Sequence, residues 1–245
     1  MTGAADDPAA SFDPGGTGAT SWTTGRIITK DLPAPNLVRL RMHVEDRQRH
    51  WPGQHYLIRL RAPDDYTAQR SYSLASDDSD PLVEFLVERL PDGEVSEFLA
   101  DVAEVGDVLE LRGPIGRWFR WDTYTPALCL VGGTGVVPAV SMIRAARHHG
   151  RSEQLRVVAV SRGPEDLPYA DELARAGATI AHTRHEVGDR PPGPPAADEL
   201  APLLAGVELA YVCGSARFAG FAEDLLLEAG FSPEAIRVER FGVTG

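Results

Sequence analysis

The hydrophobic rhythm of the chain changes near its middle. From about Thr23 to Asp122, six short runs alternate apolar with polar residues: GRIIT, NLVRLRMHV, HYLIRLRA, RSYSLAS, LVEFLVERL and DVLELRG. Successive side chains of an extended strand point to opposite faces, so the alternation predicts strands with one buried face. Turn residues such as Pro52-Gly53 and Pro91-Asp92-Gly93 separate the runs, and six strands at this spacing predict a small antiparallel β-barrel. SEFLAD, from Ser96 to Asp101, predicts one short helix inside it.

From about Pro126 the strand-like runs ALCLVG, LRVVAVS, ATIAHT, ELAYVC and AIRVERF alternate with helical patterns. PAVSMIRAARHH is one helix. In SARFAGFAEDLLLEAG, Phe218, Phe221, Ala222, Leu225 and Leu226 recur at three- and four-residue spacing, and Gly230 stands where a C-terminal cap belongs. Strands alternating with helices predict a parallel sheet covered on both faces. The fold class is therefore two-domain, an antiparallel β-barrel over residues 21–123 followed by an α/β parallel-sheet domain over residues 124–245. Residues 1–20 have almost nothing to bury and predict a disordered tail. RPPGPP, Arg190 to Pro195, predicts a surface loop.

Charge and cysteine content narrow the function. The 24 Lys and Arg against 36 Asp and Glu give a net charge of -12, which disfavours binding to nucleic acid by phosphate neutralisation. A local basic patch facing a small acidic protein remains compatible with that balance. No stretch is apolar for long enough to cross a bilayer, and the N-terminus lacks the basic start and apolar core of a secretory signal, so a cytoplasmic protein without a membrane partner is expected. Cys129 and Cys213 both fall in strand-like segments, and an iron–sulfur cluster needs about four thiolates. The chain is expected to carry neither a cluster nor another metal.

Five short motifs carry chemistry. Arg70-Ser71-Tyr72-Ser73 opens a barrel strand with a cation suited to a diphosphate, a flat ring suited to stacking and a hydroxyl. Strict alternation separates Ser73 from Arg70 and Tyr72, so a ring held by all three would lie across the strand's end. The same residues also suit an ordinary strand with a surface arginine. Gly93-Glu94-Val95-Ser96 enters the short helix, where backbone N–H groups favour an anion and Ser96 also suits an N-cap. Gly132-Gly133-Thr134-Gly135 joins a strand to a helix, with Pro138 in the first turn; the glycine spacing is not that of the G-x-G-x-x-G fingerprint. Cys213-Gly214-Ser215 ends another strand on the same rim, where a buried cysteine also serves as inert packing. The last strand ends Glu239-Arg240-Phe241: a carboxylate able to handle protons and an aromatic able to cover a ring, or simply a core phenylalanine.

Taken in order, R-x-Y-S, G-x-x-S, G-G-T-G-x-x-P, C-G-S and E-x-F resemble the ferredoxin–NADP reductase superfamily from about Thr23 to Phe241. That resemblance implies an FAD-binding barrel and an NAD(P)-binding domain. It implies FAD held by Arg70, Ser71, Tyr72 and Ser73, by Leu86, Val87 and Glu88, by Glu94, Val95 and Ser96, and covered by Phe241. Gly133, Thr134, Gly135, Cys213 and Gly214 would face the nicotinamide nucleotide. Ser73, Cys213 and Glu239 would be catalytic. Ser161, Arg162, Thr183 and Arg184 are expected near a 2′-phosphate, with no acidic residue evident at those strand ends, which favours NADPH over NADH. The implied activity passes hydride from NAD(P)H to FAD and then single electrons to a separate ferredoxin, oxygenase or similar protein. A diaphorase with a small-molecule acceptor and a non-catalytic flavin-binding redox sensor are the alternatives. In plant-type members the aromatic ends the chain, whereas here Gly242 to Gly245 follow Phe241.

Overall fold

The structure, a computed structural model, describes residues 21–241; the expected tail at 1–20 and the residues after Phe241 lie outside the described residues. Six strands form the first sheet: β1 (Thr23–Ala34), β2 (Leu37–Val44), β3 (His55–Arg61), β4 (Thr67–Ser73), β5 (Val83–Glu88) and β6 (Val108–Ile115). They lie in the order β4-β3-β6-β1-β2-β5, every neighbouring pair antiparallel. The edge strands approach only through a Leu74–Phe85 bridge and the 2.9 Å bond from Ala75 N–H to Glu84 O. The barrel is therefore not closed, because the chain leaves the sheet after Ala75 instead of pairing along β5.

Alternate residues fill the barrel: Ile27, Leu40, Met42, Tyr56, Ile58, Phe85 and Leu111 are fully buried. Each such side chain stabilises the fold by about 1.5–3 kcal/mol relative to exposure. The short helix α1 (Glu94–Glu97) begins two residues earlier than the sequence predicts and passes into a π-helical turn over Phe98–Val102. Ser96 is not its N-cap. Its Oγ donates to Gly93 O at 3.0 Å and accepts from Leu90 N–H at 3.2 Å, stapling the preceding turn. A Cβ at Gly93 would lie 2.3 Å from that hydroxyl, so the tight turn needs glycine.

The second sheet contains β7 (Ala127–Gly132), β8 (Leu155–Ser161), β9 (Thr179–His182), β10 (Leu209–Ser215) and β11 (Ile236–Phe241), all parallel in the order β11-β10-β7-β8-β9. The connecting helices are α2 (Val136–His148), α3 (Ala170–Arg175), α4 (Ala197–Leu200) and α5 (Ala216–Glu228). α4 and α5 cover one face with Leu200, Ala219, Ala222 and Leu226, while α2 and α3 cover the other with Ala139, Met142 and Leu173. Ser215 caps α5 by accepting the Phe218 N–H at 3.2 Å, and Gly230 follows its end at φ +84°.

Helix α2 is apolar nearly all round because it is buried on both sides. Met142 and Ile143 face the parallel sheet, whereas Val137 and Val140 pack on Leu37, Ala75 and Leu86 of the barrel. A polar clamp reinforces this domain contact. Ser141 Oγ donates to Ser76 O at 2.8 Å, and Arg144 reaches Ala75 O at 3.1 Å, Glu84 at 3.2 Å and Glu172 at 2.9 Å. Tyr169 Oη donates to Glu84 Oε1 at 2.8 Å. Among the described residues, no helix is long and apolar enough to cross a membrane.

Candidate functional site

Between the domains lies a cleft of about 580 Å³. Its walls hold Arg70, Ser71, Tyr72 and Ser73 from β4, Leu86 and Glu88 from β5, Val95 and Ser96 from α1, Thr134 from the glycine turn, and Glu239 and Phe241 from β11. Residues more than 150 positions apart thus meet in one cavity. Arg70 is exposed and spends one N–H on Gln69 O at 2.8 Å, leaving the rest of its guanidinium free to bind an anion. Tyr72 packs partly on the barrel core, and burial pushes its phenol up. Ser73 is buried at the end of β4.

Other expected residues are placed differently. The Val87 side chain is fully buried in the barrel, so only its backbone can serve the cleft. Glu94 is exposed and accepts a 3.0 Å bond from Tyr66 Oη. Cys213 is fully buried, and burial pushes its thiol well up, which keeps it protonated. Its carbonyl would lie 2.3 Å from a Cβ on Gly135, so the glycine turn after β7 rests directly on the end of β10. These two strands flank the point where strand order reverses, with β8 and β9 on one side of β7 and β10 and β11 on the other. In open parallel sheets, ligands bind outside the strand ends at such a switch point. Thr134 closes the two domains there by donating from Oγ1 to Glu88 Oε2 at 3.2 Å.

Glu239 is a carboxyl held in a desolvated part of the cleft. Its Oε2 is buried without a hydrogen-bond partner among the described residues, and burial pushes its carboxyl up to about 7. His55 Nδ1 stands 3.9 Å from Oε1, and burial pushes that imidazole down. His55 was not evident in the sequence. It reaches the site because β3 pairs with β4 in a register that sets His55 opposite Ser73. Leu57, Gln69, Leu90 and Val137 also line the cleft without having been singled out in the sequence, as does Arg240 from inside the Glu239–Phe241 motif.

The residues expected at a 2′-phosphate gather on the carboxyl rim, away from the main cleft. Thr183 N–H donates to Ser161 O at 2.8 Å and Arg184 N–H to Arg162 O at 2.9 Å, so the two strand ends run side by side. Arg162 and Arg184 are exposed. Ser161 Oγ is held inward by Gly163 O and His182 Nδ1, each at 2.8 Å. The sequence also hid a carboxylate here: a Cβ on Gly163 would lie 3.0 Å from Glu165 Oε1. Arg190 is committed to Glu199 at 2.8 Å and to neighbouring carbonyls.

Residues 25–120 match the family described as the oxidoreductase FAD-binding domain. The chain is 27% identical over 231 residues to the ferredoxin–NAD(P)(+) reductase component of the naphthalene 1,2-dioxygenase/salicylate 5-hydroxylase systems of a Ralstonia species, covering 90% of this chain and 69% of that protein. It is 34% identical over 181 residues to methane monooxygenase component C of Methylosinus trichosporium, covering 70% of this chain but only 50% of that protein. Its fold matches the FAD/NAD-binding domain of the nitric oxide dioxygenase of Vibrio cholerae with a TM-score of 0.79 at 21% identity, covering 90% of this chain and 98% of that one.

Proposed function

We propose that the chain belongs to the ferredoxin–NADP reductase superfamily and is an FAD-dependent oxidoreductase that oxidises NAD(P)H and reduces a separate one-electron redox protein. The observation that supports it best is the interdomain cleft, where the Arg70–Ser73 strand, Thr134 and the Glu239–Phe241 segment converge. The residues suit the cofactor. Arg70 offers the part of its guanidinium not spent on Gln69 O to a diphosphate, and Glu239 Oε2, without a hydrogen-bond partner among the described residues, awaits a polar group.

Bound FAD supplies the two-electron chemistry that no side chain has. The protein contributes position. Ser73 and Thr134 present hydroxyls from opposite domains, Phe241 excludes water from the cleft, and Glu239, with a carboxyl pushed up to about 7, holds or releases a proton near neutrality. Cys213, whose thiol is fully buried, acts through the packing of its carbonyl against Gly135. The preferred nucleotide is NADPH, because Arg162 and Arg184 offer two exposed guanidinium groups without a carboxylate partner among the described residues, against the carboxylates of Glu165, folded over Gly163, and Asp166, both near His182.

The purified protein tests this directly. It should be yellow, or become so with FAD, and should bleach when NADPH or NADH is added without air. Folded, colourless protein that refuses both FAD and FMN would overturn the proposal.

A further inference from the structure

The carboxyl rim of the parallel sheet carries opposed signals for a nucleotide, and one imidazole stands among them. Arg162 and Arg184 are exposed there, while Glu165 and Asp166 sit on the turn after β8. His182 ends β9, is 6% exposed, and stands beside Ser161 of β8 in the parallel register. A Cβ on Gly163 would lie 2.9 Å from His185 Cδ2 and 3.0 Å from Glu165 Oε1, so the turn after β8 and the loop after β9 meet over this glycine.

The hydrogen bonds fix which nitrogen of His182 carries the proton. Ser161 Oγ lies 2.8 Å from Gly163 O and 2.8 Å from His182 Nδ1. A carbonyl only accepts, so the single hydroxyl proton goes to Gly163 O, and Nδ1–H must donate to Oγ. Nε2 of the neutral ring is therefore a lone-pair acceptor, and it has no hydrogen-bond partner among the described residues. Protonation leaves the Ser161 bond intact. It changes only Nε2, from an acceptor to a charged donor.

The charged groups facing the ring come from two elements. His185 belongs to its own loop, and Glu165 and Asp166 to the turn after β8. Arg190, in the loop that follows, is held by Glu199 and by the carbonyls of Gly193 and Pro194. Burial pushes the His182 imidazole down, His185 acts in the same direction, and the two carboxylates oppose it. Without a ligand the ring is mostly neutral near pH 7, and an arriving anion favours its charged form.

We propose that His182 makes the choice between the two nicotinamide nucleotides depend on pH: its neutral Nε2 accepts from the 2′-hydroxyl of NADH, and its protonated Nε2 donates to the 2′-phosphate of NADPH. This rests on the NAD(P)H reading above and deepens it. Arg162 and Arg184 attract the phosphate, and Glu165 and Asp166 favour the hydroxyl, so one proton on His182 tips the rim. Binding of the 2′-phosphate draws that proton from solvent.

The test uses the full chain with its FAD and two redox-inert probes, 2′,5′-ADP and 5′-ADP, titrated by calorimetry. Between about pH 8 and about pH 5.5 the wild type should gain about tenfold more preference for 2′,5′-ADP than His182→Gln, which donates and accepts but does not titrate. The 2′-phosphate loses its second charge below about pH 6 in both proteins alike, which cancels in the comparison. Parallel pH profiles in the two proteins would overturn the proposal. A second measurement needs only the wild type. Imidazole 15N spectra near pH 6.5 should show Nε2 of His182 unprotonated with 5′-ADP and protonated with 2′,5′-ADP; the same state with both would also overturn it. Failure of the wild type to bind either probe would instead bring down the nucleotide reading, and this one with it.

Discussion

Replacing Glu239 by Gln in the flavin-free protein isolates the electrostatics of the cleft. The carboxyl keeps 27% of its side-chain surface, yet Oε2 has no partner among the described residues and burial pushes the group from 4.5 up to about 7. Burial is the one cause of that rise, and no cation among the described residues shifts the group back. A folded-state value above the unfolded one means that the native protein holds the proton more tightly. The associated stability is complete below about 4.5 and is lost as pH rises through about 7. At about 1.4 kcal/mol per pH unit the whole span is worth about 3 kcal/mol, and screening through the exposed part reduces it to about 2 kcal/mol. Glu239→Gln, neutral throughout, should therefore match the wild type near pH 5 and exceed it by about 2 kcal/mol at pH 8. Urea unfolding across this range measures the difference. A gap that is constant with pH, or one that favours the wild type increasingly at high pH, would refute the reasoning.

Further outcomes follow from other contacts. Ser73→Ala should slow anaerobic flavin reduction by about tenfold to a hundredfold while flavin stays bound, and an unchanged stopped-flow rate would remove Ser73 from the chemistry. Arg162→Ala with Arg184→Ala should weaken NADPH far more than NADH in difference titrations; equal losses would end the NADPH preference. Arg144→Met removes one cation from Glu84, which is 5% exposed and keeps Tyr169 at 2.8 Å and Arg41 at 3.6 Å, and should cost about 1.5–3 kcal/mol in a chemical melt, with a loss below about 0.5 kcal/mol counting against the clamp. Gly135→Ala forces a Cβ to within 2.3 Å of the Cys213 carbonyl and should destabilise by about 1–3 kcal/mol while weakening nucleotide binding; wild-type stability and affinity together would contradict the packing.

The elements were legible because their periodicities are local. The six alternating runs become β1 to β6, and the glycine turn after β7 and Ser215 before α5 stand where their chemistry suggests. Details that depend on pairing were not. His55 belongs to the site only because β3 meets β4 in the register that opposes it to Ser73; a one-residue slip would turn its side chain to the other face. The helix start at Glu94 was hidden because Ser96, a good N-cap by type, spends its hydroxyl on the turn before it. β5 explains why both kinds of failure concentrate at the domain boundary. Its inward residues Val83, Phe85 and Val87 fill the barrel as alternation requires, yet outward Glu84 and Leu86 are buried too. Helix α2 covers them, with Val137 and Val140 on Leu86 and Arg144 on Glu84. An apolar residue at an outward strand position thus marks where a second domain arrives. The cleft lies beside that contact, assembled from residues whose neighbours no local pattern could name.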